Sequence, residues 1–299
     1  MNRRSFLTTS LLTSGCLATL AAQEREGSSI ARQPRPLSFA LKCGMCKDGE
    51  TLEEKFQLLK ELGYDGVELD SPGGQDKDDA LAASQAHGLP IHGVVNSIHW
   101  HTRLSDPSVE IREKSLAGLL TAIRECHQVG GTSVLIVPGV VDAQTSHQEA
   151  WDRSLEQIAR ALPLAAQLGI HILIENVWNQ MFYDPKGGNE QTAELLARYI
   201  DEANSPWLGS YFDIGNHQRF GDPAEWIRTL GKRIVKIDVK DWGREAGFCQ
   251  LGDGDVDWPE VRRALTEIGF TGWATAEVAG GDRKRCAEIL ASMRQLLLT

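Results

Sequence analysis

The chain has 299 residues, with 31 basic and 41 acidic side chains and a formal net charge of −10. Nothing in it forms the basic stripe of a nucleic-acid-binding surface. An apolar fraction of 41% and eight Trp and eight Phe residues exclude a disordered chain, and the length suffices for one large core.

The first residues stand apart. Arg3 and Arg4 precede Ser5-Phe6-Leu7 and a modest apolar run, the pattern of a twin-arginine export signal. The run is interrupted by Thr, Ser and Gly, so no stable membrane span is expected. Residues 1–22 are expected to be removed as a signal peptide, with cleavage near Ala21 or Ala22, leaving a mature charge of −12. The expected location is the periplasm. An uncleaved signal, or lipidation at Cys16, would instead anchor the protein to the membrane. Residues 23–36, polar with two prolines, read as a linker. Five cysteines remain after cleavage, an odd count that argues against a full disulfide framework. "CGMC" at 43–46 has redox spacing without the helix-start context of a thioredoxin site. A disulfide or plain buried thiols are the alternatives there.

Strand-like and helix-like segments alternate from residue 37 onward. "LSFALKCGM" reads as a first strand. "TLEEKFQLLKELG" reads as an amphipathic helix, capped by Thr51 with Glu54 and ended by Gly63. "YDGVELD" is a second strand, "DKDDALAASQAHG" a helix and "LPIHGVVN" a third strand. The long helix "PSVEIREKSLAGLLTAIRECHQVG" leads to the strand "SVLIVPG". "SHQEAWDRSLEQIARALPLAAQLG" leads to "IHILIEN", and "NEQTAELLARYIDEA" to "LGSYFDIGN". "DPAEWIRTLG" leads to "RIVKIDVKD", "WPEVRRALTEIG" to "GWATAEV", and a final helix closes the chain. Eight strands, each followed by a helix, predict a single (β/α)8 TIM barrel over residues 37–299.

Alternation then sorts the charges. In "IVKIDVKDW" the residues Lys236, Asp238 and Lys240 share one face, expected to be the lumen, and Val235, Ile237 and Val239 the other, expected to lie under the helices. Lumen charges belong near the carboxyl ends of the strands, where such barrels keep their active sites. Glu68 and Asp70, Glu175, Asp213, Asp238 and Glu277 all fall at strand ends. Converging carboxylates repel, so a divalent metal is the simplest way to hold them together. Oxygen donors suit Mg²⁺ or Mn²⁺, with Co²⁺ or Zn²⁺ tolerated. His99 and His101, in "NSIHWHTRLSDP", follow the third strand and could contact a sugar, or belong to a loop packed on itself. His217 is a weaker candidate and His92 reads as a core residue. Trp178 and Trp242 could stack on a sugar ring or simply pack.

With "LIENVWN", "SYFDIGNHQRFGDPAEWIRTLGKRIVKIDVKDW" and "LGDGDVDWPEVRRALTEIGFTGWATAEV" the chain resembles the xylose-isomerase-like TIM barrels, the sugar phosphate isomerase/epimerase family. The resemblance covers roughly residues 37–299. It implies that Glu175, Asp213 and Glu277 are metal ligands and that Glu175 and Glu277 move protons on opposite faces of a bound keto-sugar. It also implies that Asn216 and Arg244 bind substrate hydroxyls. The family usually has histidine where this chain has Asp238. Asp238 would make a fourth carboxylate ligand, whose extra charge Lys236 and Lys240 could offset. Glu68, His99 and Lys240 complete the expected substrate-binding set.

The function implied is a metal-dependent isomerase or epimerase of a keto-sugar, working through an enediolate by general acid–base catalysis. A lyase or hydratase acting on oxidised 3-keto glycosides would use the same proton abstraction, and export favours such substrates, since phosphorylated sugars are scarce outside the cytoplasm. A non-catalytic sugar-binding barrel is a third reading, against which Glu175 and Glu277 speak. The expected partner is a small-molecule carbohydrate, not nucleic acid, and a homo-oligomer is left open.

Overall fold

The computed structural model describes residues 37–299; the signal-like segment, its cleavage position, Cys16 and the linker lie outside the described residues. The chain runs β1 (Ser38–Lys42), α1 (Leu52–Leu62), β2 (Gly66–Ser71), α2 (Lys77–His87), β3 (Ile91–Asn96), α3 (Val109–Gln128) and β4 (Ser133–Ile136). It continues through α4 (His147–Leu168), β5 (His171–Glu175), α5 (Glu194–Glu202), β6 (Leu208–Asp213), α6 (Ile214–Gln218), α7 (Pro223–Leu230) and β7 (Ile234–Val239). A short ribbon, β8 (Asp241–Gly243) and β9 (Gly247–Cys249), precedes α8 (Trp258–Glu267), β10 (Trp273–Ala276) and α9 (Arg283–Leu298). The strands β1-β10-β7-β6-β5-β4-β3-β2 close on themselves into a parallel barrel with helices between strands. This is the expected (β/α)8 architecture.

Local chemistry sets the element ends. Thr51 and Glu54 form a reciprocal capping box at α1, and Gly63 ends it in the left-handed region at φ 93°. Ser146 and Glu149 cap α4 in the same way. The main core lies between strands and helices, where residues such as Leu41, Val67, Ile172, Phe212, Ile237 and Val239 are fully buried. Each such side chain contributes roughly 1.5–3 kcal/mol. A second, small cluster of Leu135, Leu173 and Tyr211 fills the lumen below the site.

The face assignment of Val235 differs from expectation. Register between β6 and β7 shifts, so that Ser210 pairs with Ile234 but Tyr211 with Lys236. A bulge of this kind places an extra residue in one strand. Val235 therefore packs against the lumen cluster instead of under the helices. Lys236 also points inward, but low in the barrel. Its ammonium meets His92 Nδ1 at 2.8 Å and donates to the His92 carbonyl at 2.6 Å. Gly93 makes room for it, since a Cβ there would come within 2.9 Å of Lys236 Nζ. Lys236 thus belongs to a structural network that continues from His92 Nε2 to Thr275 and on to the Tyr211 hydroxyl, at 3.2 and 2.7 Å. It makes no ion pair with the carboxylate cluster.

The thiols of Cys43, Cys46, Cys126, Cys249 and Cys286 are free. Cys46 donates to the Asp48 carbonyl at 3.4 Å, and Cys43 and Cys46 form no disulfide. Among the described residues, no helix is long and apolar enough to cross a membrane.

Candidate active site at the carboxyl end of the barrel

Glu175 ends β5, Asp213 ends β6, Asp238 lies next to the end of β7 and Glu277 follows β10 directly. Parallel strands in a closed barrel bring these ends together, and one carboxylate oxygen from each of the four lies within 4.8 Å of the others. Asp213 and Asp238 are fully buried, Glu175 nearly so, and the Glu277 side chain keeps 31% of its exposure. Glu277 is held in the ladder by its own amide, which donates to the Val239 carbonyl at 3.1 Å.

Backbone contacts fix the carboxylates. Asp213 is the N-cap of α6, and its Oδ1 accepts from the Asn216 amide at 2.7 Å. Asn176, beside Glu175, bonds both ways with the Asp213 backbone at 2.8 Å, which locks β5 to β6 at the site. The side-chain amide of Asn216 donates to Glu175 Oε1 at 3.4 Å and to the Asn176 carbonyl at 3.1 Å.

Two ammoniums enter the cluster. Lys42, the last residue of β1, donates to Glu277 Oε2 at 2.5 Å and to Asp238 Oδ2 at 3.2 Å. Lys240 donates to Glu277 Oε1 at 3.0 Å and to Asn216 Oδ1 at 3.2 Å. It also lies 2.9 Å from Asp213 Oδ2, as an ion pair without hydrogen-bond alignment. Gly215 allows the close approach, because a Cβ there would sit 2.8 Å from the Lys240 side chain. Four carboxylates against two ammoniums leave two negative charges uncompensated.

That imbalance divides the acids. Burial and the neighbouring Glu277 charge raise Glu175 to about 8. Burial likewise pushes Asp213 and Asp238 up. Burial also works against ionisation of Glu277, but Lys42 and Lys240 overcome it and hold its carboxyl well below the usual carboxylate range. The donor set fits a hard dication: four carboxylates, two surplus charges, and an Asp238 Oδ1 that is buried without any hydrogen-bond partner.

The expected substrate-binding residues are distributed unevenly. His99 is buried beside the cluster, and its Nδ1 accepts from the Val137 amide at 3.2 Å. Burial lowers it to about 4, so it is neutral at pH 7 and carries its proton on Nε2. Glu68 is 1% exposed with both oxygens unpartnered, and burial raises its pKa. The Lys42 charge beside it works against that rise. Asn216 and Lys240 lie within the carboxylate cluster and contact its members. Arg244 stands on the exposed turn between β8 and β9, and its amide donates to Asp255 at 2.7 Å. It lines a surface cleft with Trp242, Arg219 and Asp257, away from the four acids. His217 is buried against Trp226, and His92 is a core residue.

The mouth is aromatic. Phe248 on β9 is half exposed, stacks on Trp178 with centroids 4.9 Å apart and lies 5.0 Å from the Lys240 ammonium. Asp241, fully buried, anchors this ribbon by accepting from the Gly252 amide at 2.8 Å and the Trp258 indole at 3.1 Å. Sequence reasoning missed Lys42, Asn176, Asp241 and Phe248. Of these, Lys42 carried a usable signal, since it ends a barrel strand just as the acids do.

The description "Xylose isomerase-like TIM barrel" matches residues 56–296. The chain belongs to this family. Its relatives include an uncharacterized protein of Methanocaldococcus jannaschii, 27% identical over 173 residues, which are 56% of this chain and 57% of that protein. The chain thus matches little more than half the length of that relative. L-ribulose-5-phosphate 3-epimerase UlaE of Escherichia coli is 24% identical over 239 residues, covering 75% of this chain and 81% of the epimerase. Among solved structures of this fold are D-allulose 3-epimerase from Methylomonas sp. in complex with D-allulose and 3-keto-D-glucoside 4-epimerase YcjR from E. coli. The first superposes with a TM-score of 0.70 at 17% identity, covering 88% of this chain and 98% of that one. The second does so with a TM-score of 0.71 at 17% identity, covering 87% and 98%.

Proposed function

We propose that this member of the family is an epimerase or isomerase of a keto-sugar, moving the proton on the carbon beside the carbonyl. One observation carries the reading: four carboxylates from neighbouring strand ends meet in one cluster, and Lys42 and Lys240 both pair with Glu277 while neither makes an ion pair with Glu175. The two ammoniums hold Glu277 well below the usual carboxylate range, while burial and the Glu277 charge push Glu175 up to about 8. Pairs pushed apart in this way make a base and an acid. The epimerase relatives support the same reaction class.

In the proposed mechanism Glu277 takes the proton from carbon. The negative charge moves to the substrate as an enediolate, and Lys42 and Lys240, which faced Glu277, are at hand to stabilise it. Glu175 returns a proton from its own side of the site. Delivery to the same carbon inverts it, and delivery to the neighbouring carbon isomerises the sugar. His99 Nε2–H is a neutral donor available to a substrate oxygen. Glu175, Asp213, Asp238 and Glu277 would hold a dication, Mn²⁺ or Mg²⁺ by their hardness. That ion would supply polarisation of the carbonyl, lowering the pKa of the adjacent C–H.

The half-exposed Phe248 and its Trp178 partner give the mouth a flat apolar wall, which favours a substrate with a ring beyond the reacting sugar, such as a 3-keto glycoside. The Arg3–Arg4 segment supports an exported protein and hence an unphosphorylated substrate. The test is NMR of unphosphorylated ketohexoses and 3-keto glucosides incubated with the Mn²⁺-supplemented protein in D₂O. Deuterium should enter beside the carbonyl in at least one of them, with formation of the epimer or isomer. Deuterium entry accompanied by loss of the aglycone would favour the lyase reading. A panel without any exchange would sink the proposal.

A further inference from the structure

The ammonium of Lys42 is where a cation bound by the four acids would have to be accommodated. Its Nζ lies 2.5 Å from Glu277 Oε2 and 3.2 Å from Asp238 Oδ2, and both residues belong to the four-acid cluster. A hard dication sits about 2.1 Å from a carboxylate oxygen. If it takes Glu277 Oε2 while Lys42 stays, the two cations stand no more than about 4.6 Å apart. Like charges at that distance, beside a fully buried Asp238, repel strongly.

Lys42 has a way out. Its side chain retains 20% of its exposure, unlike Asp238 with none, and it ends on a flexible four-carbon stem at the open end of the barrel. Lys240 is more firmly placed, with contacts to Glu277, Asp213 and Asn216 and to the face of Phe248. Removal of Lys42 would return two oxygens to the cluster, and Asp238 would then offer both of its own.

We propose that Lys42 is the resident cation of the metal-free site and is displaced toward the mouth when a dication binds, the two competing for Asp238 Oδ2 and Glu277 Oε2. This inference rests on the metal-binding part of the proposed function. It gives Lys42 a reason to exist: it lets four buried acids remain folded without metal, at the cost of weakened metal affinity. It also delivers an ammonium to the mouth when metal is present, where a substrate oxygen can meet it.

The test uses the full-length chain and Mn²⁺ alone as the probe. Free Mn²⁺ is counted by electron paramagnetic resonance for the parent, Lys42→Met and Lys42→Arg. Lys42→Met should bind Mn²⁺ more tightly by on the order of 10-fold, the scale of coupling between groups in direct contact. Lys42→Arg, which keeps the charge, should stay near or below the parent. Separately, mass spectrometry of the parent after brief reductive methylation should show faster modification of Lys42 with Mn²⁺ than with chelator. This second readout needs no variant and so survives a Lys42→Met protein that fails to fold. Equal or weaker Mn²⁺ binding by folded Lys42→Met, or methylation of Lys42 unchanged or slowed by Mn²⁺, overturns the displacement alone. Absence of Mn²⁺ binding in all three proteins overturns the metal site and the displacement together.

Discussion

Replacing Lys240 by methionine removes an ammonium that touches three polar groups and the Phe248 ring and leaves the stem nearly unchanged. Asp213 is fully buried, and the Lys240 side chain is 13% exposed, so the lost pair is largely desolvated. Breaking a buried ion pair by deleting one partner costs about 3–5 kcal/mol. Glu277 keeps 31% exposure and Lys42 still faces it, which reduces the figure to about 2–4 kcal/mol. At about 2–4 °C per kcal/mol for a domain of this size, the midpoint should fall by roughly 5–15 °C. Calorimetry on the chelated protein at pH 8 measures it, with Lys240→Arg as the charge-keeping control. At pH 5 the cost should shrink. Asp213 and Glu175 already have raised pKa values, and once they take up protons the missing ammonium leaves less uncompensated charge. A loss below about 1 kcal/mol at pH 8, or a cost that grows on acidification, would refute the role of Lys240 as counter-charge.

Other perturbations separate the roles of neighbouring residues. Glu277→Gln should reduce exchange of the substrate's carbon-bound proton with solvent by about 10²-fold or more, the scale of general-base loss, with the fold intact by circular dichroism. Near-parental exchange would assign the base elsewhere. His99 has a folded pKa of about 4 against roughly 6.5 unfolded, so the unfolded state binds its proton first as pH falls. Its contribution is complete above pH 6.5 and is lost toward pH 4, up to about 3 kcal/mol, and urea titrations of the parent and His99→Asn should diverge over that window. Changing both Arg3 and Arg4 to lysine should leave the protein in the cytoplasm on fractionation, and unchanged export would remove the twin-arginine assignment.

Residues that obey a local period were the legible ones. Glu175, Asp213, Asp238 and Glu277 sit at strand ends that the alternation marks, and closure of the barrel alone suffices to gather them. Period-two reasoning gives the face of a residue but not its depth. Lys236 and Asp238 share the lumen face, yet one residue pair along a strand is about 6.6 Å, and Lys236 consequently serves His92 near the floor. The bulge at Val235 is a backbone irregularity with no sequence mark of its own. Attention to carboxylates hid Lys42, although it pairs in register with Glu68 at the same end of the barrel. The Phe248 ribbon has strands of three residues, too short for any periodicity to register, and it depends on Asp241 meeting Gly252 and Trp258 across the loop.

In the proposed mechanism Glu175 and Glu277 flank the carbon whose proton moves. A crystal structure of the Mn²⁺-loaded protein with a keto-sugar that exchanges in D₂O tests it most directly. The carbon beside the carbonyl should lie between the two carboxyl groups, each oxygen about 3–3.5 Å away on opposite faces. A sugar bound with its reacting carbon beyond reach of either glutamate, or with both on the same face, would contradict it.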